Sequence, residues 1–279
     1  MSKIFKRGNL PGASTSRSYA RELPRELLDM IIAQLRLDTP TLKACSATCR
    51  AWYTATLPHL HHTLTLRKQT SDRTSKGLVP LHKLGKLQLL PFVKRLRILQ
   101  HDTDRWFPMT VFDARRLAYF PTLTNVQELG IDSLDLQVFT LQAHLYSWYF
   151  MPKLRSLALR NPVGSHHQLL SFLGQFPNLD DLKLIHSDNL TRGSTPDSVP
   201  VPQLAPSLRG QLTLWSFGEG ALLRDLSRLA GGLRFRHMNL RGVSCSRFLL
   251  DACAETLETL RLHTVDWRGK GHSRESSLV

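Results

Sequence analysis

Two hydrophobic rhythms divide the chain. Between Leu23 and Trp52 the apolar residues Leu27, Leu28, Ile31, Ile32 and Leu35 recur at the spacing that lines one face of a helix. Pro24 suits a first helical position, because its missing N–H would have no intrahelical partner there, and Glu26 in the first turn favours the helix dipole. Asp38-Thr39-Pro40 breaks the pattern and restarts it, with Thr39 as the expected N-cap and Pro40 as the next first position. Leu42, Cys45, Cys49 and Trp52 return at helical intervals until Pro58 interrupts. Two or three short amphipathic helices are thus predicted within about forty residues, too few to bury this much apolar surface alone. Another protein or another domain is expected to cover part of the stripe.

Further on the rhythm becomes a repeat: apolar, two residues, apolar, one residue, apolar. It recurs as Val93-Leu96-Ile98, Val126-Leu129-Ile131, Leu154-Leu157-Leu159, Leu179-Leu182-Leu184 and Leu257-Leu260-Leu262. Looser copies stand at Leu208 with Leu212-Leu214 and at Phe235-Met238-Leu240, and Leu64-Leu66 begins the series. Between copies lie helix-like segments, Met109 to Phe120, Val138 to Phe150, Gln168 to Phe176, Ala221 to Leu229 and Arg247 to Ala254. Strand, turn, helix, turn, strand predicts an α/β chain built as a parallel-sheet solenoid with its helices on the convex side. A doubly wound α/β domain also alternates parallel strands with helices. The recurring triplet favours the solenoid, and no glycine-rich phosphate loop follows a strand.

The first segment carries a further pattern: Leu23-Pro24-x-Glu26-Leu27-Leu28-x-x-Ile31-x-x-x-Leu35, then Asp38, Leu42, Cys45 and Cys49-Arg50-x-Trp52. This string resembles an F-box, over roughly residues 20 to 60. The resemblance implies a helical module that docks on the Skp adaptor, and through it on a cullin, in a Skp–cullin–F-box ubiquitin ligase. By position it implies Leu23, Pro24, Leu27, Ile31, Leu35, Leu42, Cys45 and Trp52 as adaptor contacts. The later repeats resemble leucine-rich repeats, which commonly follow an F-box; successive final apolar residues, from Leu66 to Leu262, lie 22 to 33 residues apart. Three positions after each, where many such repeats carry Asn or Cys, stand Leu134, Pro162, Ser187, Phe217, Val243 and Val265. The missing asparagine ladder makes the expected solenoid divergent and irregular. The expected organisation is a basic tail over 1–20, the F-box module over 21–62, the divergent repeat domain over 63–267 and a disordered tail over 268–279.

Composition adds little to this picture. A hydrophobic fraction of 42% with 21% charged residues is ordinary globular composition. The net charge of +15 would favour nucleic acid or acidic partners, but the basic residues are spread among apolar positions without an RNA- or DNA-binding signature, so nucleic acid is not the expected partner. Four cysteines, two of them one helical turn apart, suit a reducing compartment, and a cytoplasmic or nuclear location is expected. Cys45 and Cys49 lie on the apolar stripe near His59, His61 and His62, yet the spacing is not that of a zinc site, and no metal or cofactor is expected. No apolar run reaches transmembrane length, so a soluble chain without membrane contact is expected. Residues 67 to 77, and 186 to 207 with their four prolines, read as exposed loops.

Alternation along the repeat strands identifies an open face. It would expose Arg95, Arg97 and Leu99; Glu128, Gly130 and Asp132; Ser156, Ala158 and Arg160; Asp181, Lys183 and Ile185; Gln211, Thr213 and Trp215; His237, Asn239 and Arg241; Thr259, Arg261 and His263. Arg160, Lys183, Trp215, His237, Arg241 and Arg261 are the candidate substrate-binding residues, since Trp and Arg most often anchor interfaces. Hydrolase, zinc-protease and kinase motifs are absent, which suits a non-catalytic receptor subunit. The alternative is a leucine-rich-repeat scaffold that acts outside any ubiquitin ligase.

Overall fold

The structure, a computed structural model, describes residues 23–67, 79–99, 122–136, 151–186, 190–191, 208–215, 221–227, 233–241, 247–263 and 275–278. The chain divides into two compact units, residues 1–60 and 61–279.

The first unit is helical, with α1 (Arg25–Gln34), α2 (Thr39–Ser46) and α3 (Arg50–Leu60). Three local expectations are corrected. Pro24 is the N-cap of α1 rather than its first residue: its backbone is still extended, while its carbonyl accepts the first helical bond from Leu28 at 3.1 Å. The cap of α2 is Asp38, not Thr39, because a carboxylate has two acceptors to offer: one takes the Thr41 N–H at 3.1 Å, the other the Thr41 hydroxyl at 2.6 Å. These bonds hold the Asp38 carboxyl below its ordinary pKa. Finally, α3 runs through Pro58 to Leu60. A proline so near the helix end forfeits one backbone bond and leaves little helix beyond it to distort. The core of this unit is small: Leu28, Ile32 and Leu42 are buried, and Leu35, Cys45, Trp52, Ala55 and Leu60 pack against them.

The second unit begins with β1 (Thr63–Arg67), followed by α4 (Val79–Lys86), a helix the periodicity did not predict. Next come β2 (Arg95–Leu99), β3 (Glu128–Asp132), β4 (Ser156–Arg160), β5 (Gly164–Ser165), α5 (His166–Leu173), β6 (Asp181–Ile185) and β7 (Leu190–Thr191). Then follow β8 (Gln211–Trp215), α6 (Ala221–Ser227), β9 (His237–Arg241), α7 (Arg247–Cys253), β10 (Thr259–His263) and β11 (Glu275–Leu278). The main sheet runs β1-β2-β3-β4-β6-β8-β9-β10-β11, and its first eight strands are parallel.

Each apolar triplet forms a strand or leads into one, as the repeat predicts. Leu96 and Ile98, Leu129 and Ile131, Leu157 and Leu159, Leu182 and Leu184, Leu212 and Leu214, and Met238 and Leu240 all turn into one continuous core. The register aligns them strand to strand, so a shift by one residue would turn each pair out of the core. Helix α5 starts at His166, two residues earlier than its periodicity suggests, because Ser165 and Gln168 form a capping box. It closes at Leu173 on a Gly174 cap, and Phe176 still joins the core, its ring edge-on to Phe172 at 5.1 Å.

Where the asparagine ladder is missing, the backbone turns by another means. Ser133, Asn161 and His186, each the residue after a strand, adopt φ of 58°, 49° and 51°. Their N–H groups donate to the last carbonyls of the next strands, Arg160, Ile185 and Trp215, at 2.7, 2.9 and 3.0 Å. The position after the turn becomes apolar core, as Leu134 and Pro162 are buried. At the far edge β11 pairs antiparallel with β10, where a disordered tail was expected; the added strand takes up backbone groups that a parallel sheet leaves open at its last strand. Within the predicted 186–207 excursion, β7 pairs in parallel with β5. The predicted helices Met109 to Phe120 and Val138 to Phe150, the 1–20 tail and most of the two predicted loops lie outside the described residues.

Candidate docking surfaces

Helix α1 separates its apolar residues onto two faces. Leu28 and Ile32 are 4% and 0% exposed, whereas Leu27 and Ile31, one position earlier in each turn, are 46% and 40% exposed. Successive residues on a helix point about 100° apart, so the neighbours of core residues cannot share their face. Leu23 and Met30 are also exposed. Of the eight sequence-predicted adaptor contacts, Leu23, Pro24, Leu27 and Ile31 therefore lie at the surface. Leu42 is fully buried, and Leu35, Cys45 and Trp52 pack on the internal cluster, so these four build the module that presents the others.

Sequence reasoning passed over three exposed side chains, Met30, Leu37 and Tyr53. Met30 had a signal, since it precedes Ile31 and completes the outward side of α1 with Leu27. Beside Leu23 an open groove of about 470 Å³ runs between the start of α1 and α3, lined by Arg25, Leu28, Arg50, Ala51, Thr54 and Ala55. Three short helices around a small core thus leave large apolar side chains uncovered.

Residues 20–67 match the F-box-like domain family. No curated protein matches the chain. That match suggests an adaptor-binding role for the segment. Among the described residues no helix is long and apolar enough to cross a membrane.

The second surface is the face of the main sheet opposite the core. Register sorts its residues into three rows. The first contains Arg95, Glu128, Ser156, Asp181, Gln211 and His237, the middle row Arg97, Gly130, Ala158, Lys183, Thr213, Asn239 and Arg261, and the last Asp132, Arg160, Ile185, Trp215, Arg241 and His263. The first row is largely paired. Arg95 bridges Glu128, which raises the arginine pKa, Asp181 accepts the Gln211 N–H at 2.7 Å, and His237 lies 4.0 Å from Glu258.

The candidate substrate-binding residues fall differently. Lys183, Trp215 and Arg241 meet: the Lys183 Nζ lies 5.0 Å and the Arg241 Cζ 5.5 Å from the Trp215 ring centroid, one from each flanking strand. Arg160 and Arg261 are exposed on the strands beyond, while His237 belongs to the paired first row. Thr213, expected to be exposed, is buried; Lys183 sits beside it in register and extends towards the Trp215 ring. Among the described residues the Trp215 Nε1 and the Asn239 Oδ1 are buried without hydrogen-bond partners.

Proposed function

We propose that the chain is the substrate-recognition subunit of a Skp–cullin–F-box ubiquitin ligase. In this reading the F-box-like domain docks on the Skp adaptor through Leu23, Leu27, Met30 and Ile31. The sheet unit is a divergent leucine-rich-repeat solenoid that recruits the protein target. The receptor contributes no catalytic group of its own; it raises the effective concentration of the target beside a conjugating enzyme. The observation that carries the proposal is the outward-facing apolar side of α1 within a segment that matches an F-box-like domain.

The test is co-purification with the Skp adaptor, comparing wild type with Leu27→Asp. Leu27 is exposed, so a charge there leaves the helix core intact. Capture by wild type and its loss in a folded Leu27→Asp variant is the expected result. A folded wild-type chain that captures no adaptor would leave a repeat scaffold acting outside any ligase as the better reading.

A further inference from the structure

Around Trp215 the middle and last rows of the sheet face bring cations together. Arg160, Lys183, Arg241 and Arg261 have no carboxylate partner among the described residues, in contrast to the bridged Arg95 of the first row. Lys183 and Arg241 both lie against the Trp215 ring. Cations gathered on one aromatic ring repel one another, and a ring quadrupole offsets only part of that repulsion. An anionic occupant would remove the remainder.

We propose that the last row, with Lys183 of the middle row beside it, is the docking site for an acidic, extended segment of a protein partner. Its carboxylates would lie on Arg160 and on Lys183 with Arg241, and an apolar side chain between them would lie on Ile185 and Trp215. The proposal rests on the reading of the sheet unit as the recruiting part of the molecule and specifies what it recruits.

Spacing selects this occupant over a single phosphoryl group. Arg160, Ile185, Trp215 and Arg241 are successive register neighbours, giving the order cation, apolar, aromatic, cation. At about 4.8 Å per strand the backbones of the two arginines stand roughly 14 Å apart, so side chains extended straight out from the sheet would meet two separate anionic groups. An extended chain advances about 3.3 Å per residue, so the matching carboxylates lie about four positions apart with apolar residues between. The cationic stretch is also bounded. Asp132 follows Arg160 along the last row, and Asp181 stands in the first, so a longer polyanion would meet carboxylates beyond the cations. Exposed arginines beside a partly buried tryptophan are the residue types that most often dominate binding energy at interfaces.

The experiment uses the full chain and a fluorescein-labelled peptide, Ser-Glu-Glu-Leu-Phe-Glu-Glu-Ser, read by fluorescence polarisation at low salt. Controls are the same peptide with every Glu replaced by Gln and a single-stranded oligonucleotide of equal charge. The acidic peptide should bind and the Gln peptide should not. Arg241→Glu and Lys183→Glu should each weaken the acidic peptide at least about tenfold. Arg36→Glu, an equal change of net charge on the helical unit, should leave binding within about twofold. Trp215→Ala should lose affinity for the Leu-Phe peptide but not for one with Ser-Ser at its centre.

Equal binding of the Glu and Gln peptides, or equal effects of Arg241→Glu and Arg36→Glu, overturns the proposal. So does tighter binding of the oligonucleotide that is lost in the same variants, which would mark a nucleic-acid surface. Adaptor capture separates this proposal from the reading on which it rests: Arg241→Glu should retain the adaptor, and Leu27→Asp should retain the peptide.

Discussion

In the F-box-like domain, one helix carries the core on one side, Leu28 and Ile32, and leaves Leu27, Met30 and Ile31 uncovered on another. In the sheet unit most apolar strand residues turn inward, and what faces out is mostly polar, with cations collecting around one tryptophan. The difference follows from size and periodicity. Three short helices enclose a core of only a few side chains, so apolar residues beyond that number have nowhere to go. A strand alternates by twos, so each repeat divides cleanly into an inner and an outer set, and successive repeats extend one core from Leu64 to Cys253. One unit therefore presents an apolar surface and the other a charged one.

The contrast can be broken most forcefully at the sheet core. Phe172 is buried and packs edge-on against Phe176, so Phe172→Ala should cost about 3–5 kcal/mol, seen as a lower urea midpoint and faster amide exchange in β4 and β6. Neighbouring residues on α1 sharpen the comparison next. Leu28→Ala should destabilise the helical unit by about 2–5 kcal/mol, whereas Leu27→Ala should change its stability by less than about 0.5 kcal/mol and weaken adaptor capture instead. Equal thermal stability for the two variants would show that α1 has no inward and outward side.

A smaller effect belongs to the turn before α5. Gly164 has φ of +141°, and a Cβ there would lie 2.8 Å from the Gln168 Oε1 and 3.0 Å from the Leu136 Cβ. Gly164→Ala should destabilise the sheet unit by about 1–3 kcal/mol and disturb the Ser165–Gln168 capping box, which hydrogen exchange at the start of α5 would reveal. The smallest effect is at Asp38. Its carboxyl is held below the ordinary 3.8 by the Thr41 bonds, so its contribution is present above that value and fades as pH falls through the lower folded-state pKa. Asp38→Asn should flatten the acid limb of helical-unit stability followed by circular dichroism.

Most of the strand positions were legible because period-two patterning and burial are the same fact seen twice: Leu129 and Ile131 alternate in the sequence because one side of β3 faces a core. The α1 stripe was legible as a whole but not divided, since Leu27, Leu28, Ile31 and Ile32 are equally apolar and only packing decides which pair is inside. The Asp38 cap was missed because Asp and Thr are both good caps and stand side by side. The left-handed residues Ser133, Asn161 and His186 share no residue type, so no motif marks them; neighbouring carbonyls select that geometry. Met30 was passed over because the motif names Leu27 and Ile31 but not the residue between turns.

The cationic cluster shows the same limit over a longer range. Alternation alone placed Lys183, Trp215 and Arg241 on one face, because side-chain direction in a strand is local geometry. Which of them touch depended on β6, β8 and β9 lying side by side in one register, a relation between segments separated by more than twenty residues. By itself the sequence determined the two rhythms, the F-box-like segment, the strand cores and the outward rows, all of which depend on neighbours along the chain. The tertiary structure decided which leucines of α1 stay exposed, which acids neutralise Arg95, and which cations around Trp215 remain unpaired. Burial and charge pairing are set by distances in space, and those exist only once the strands and helices have packed.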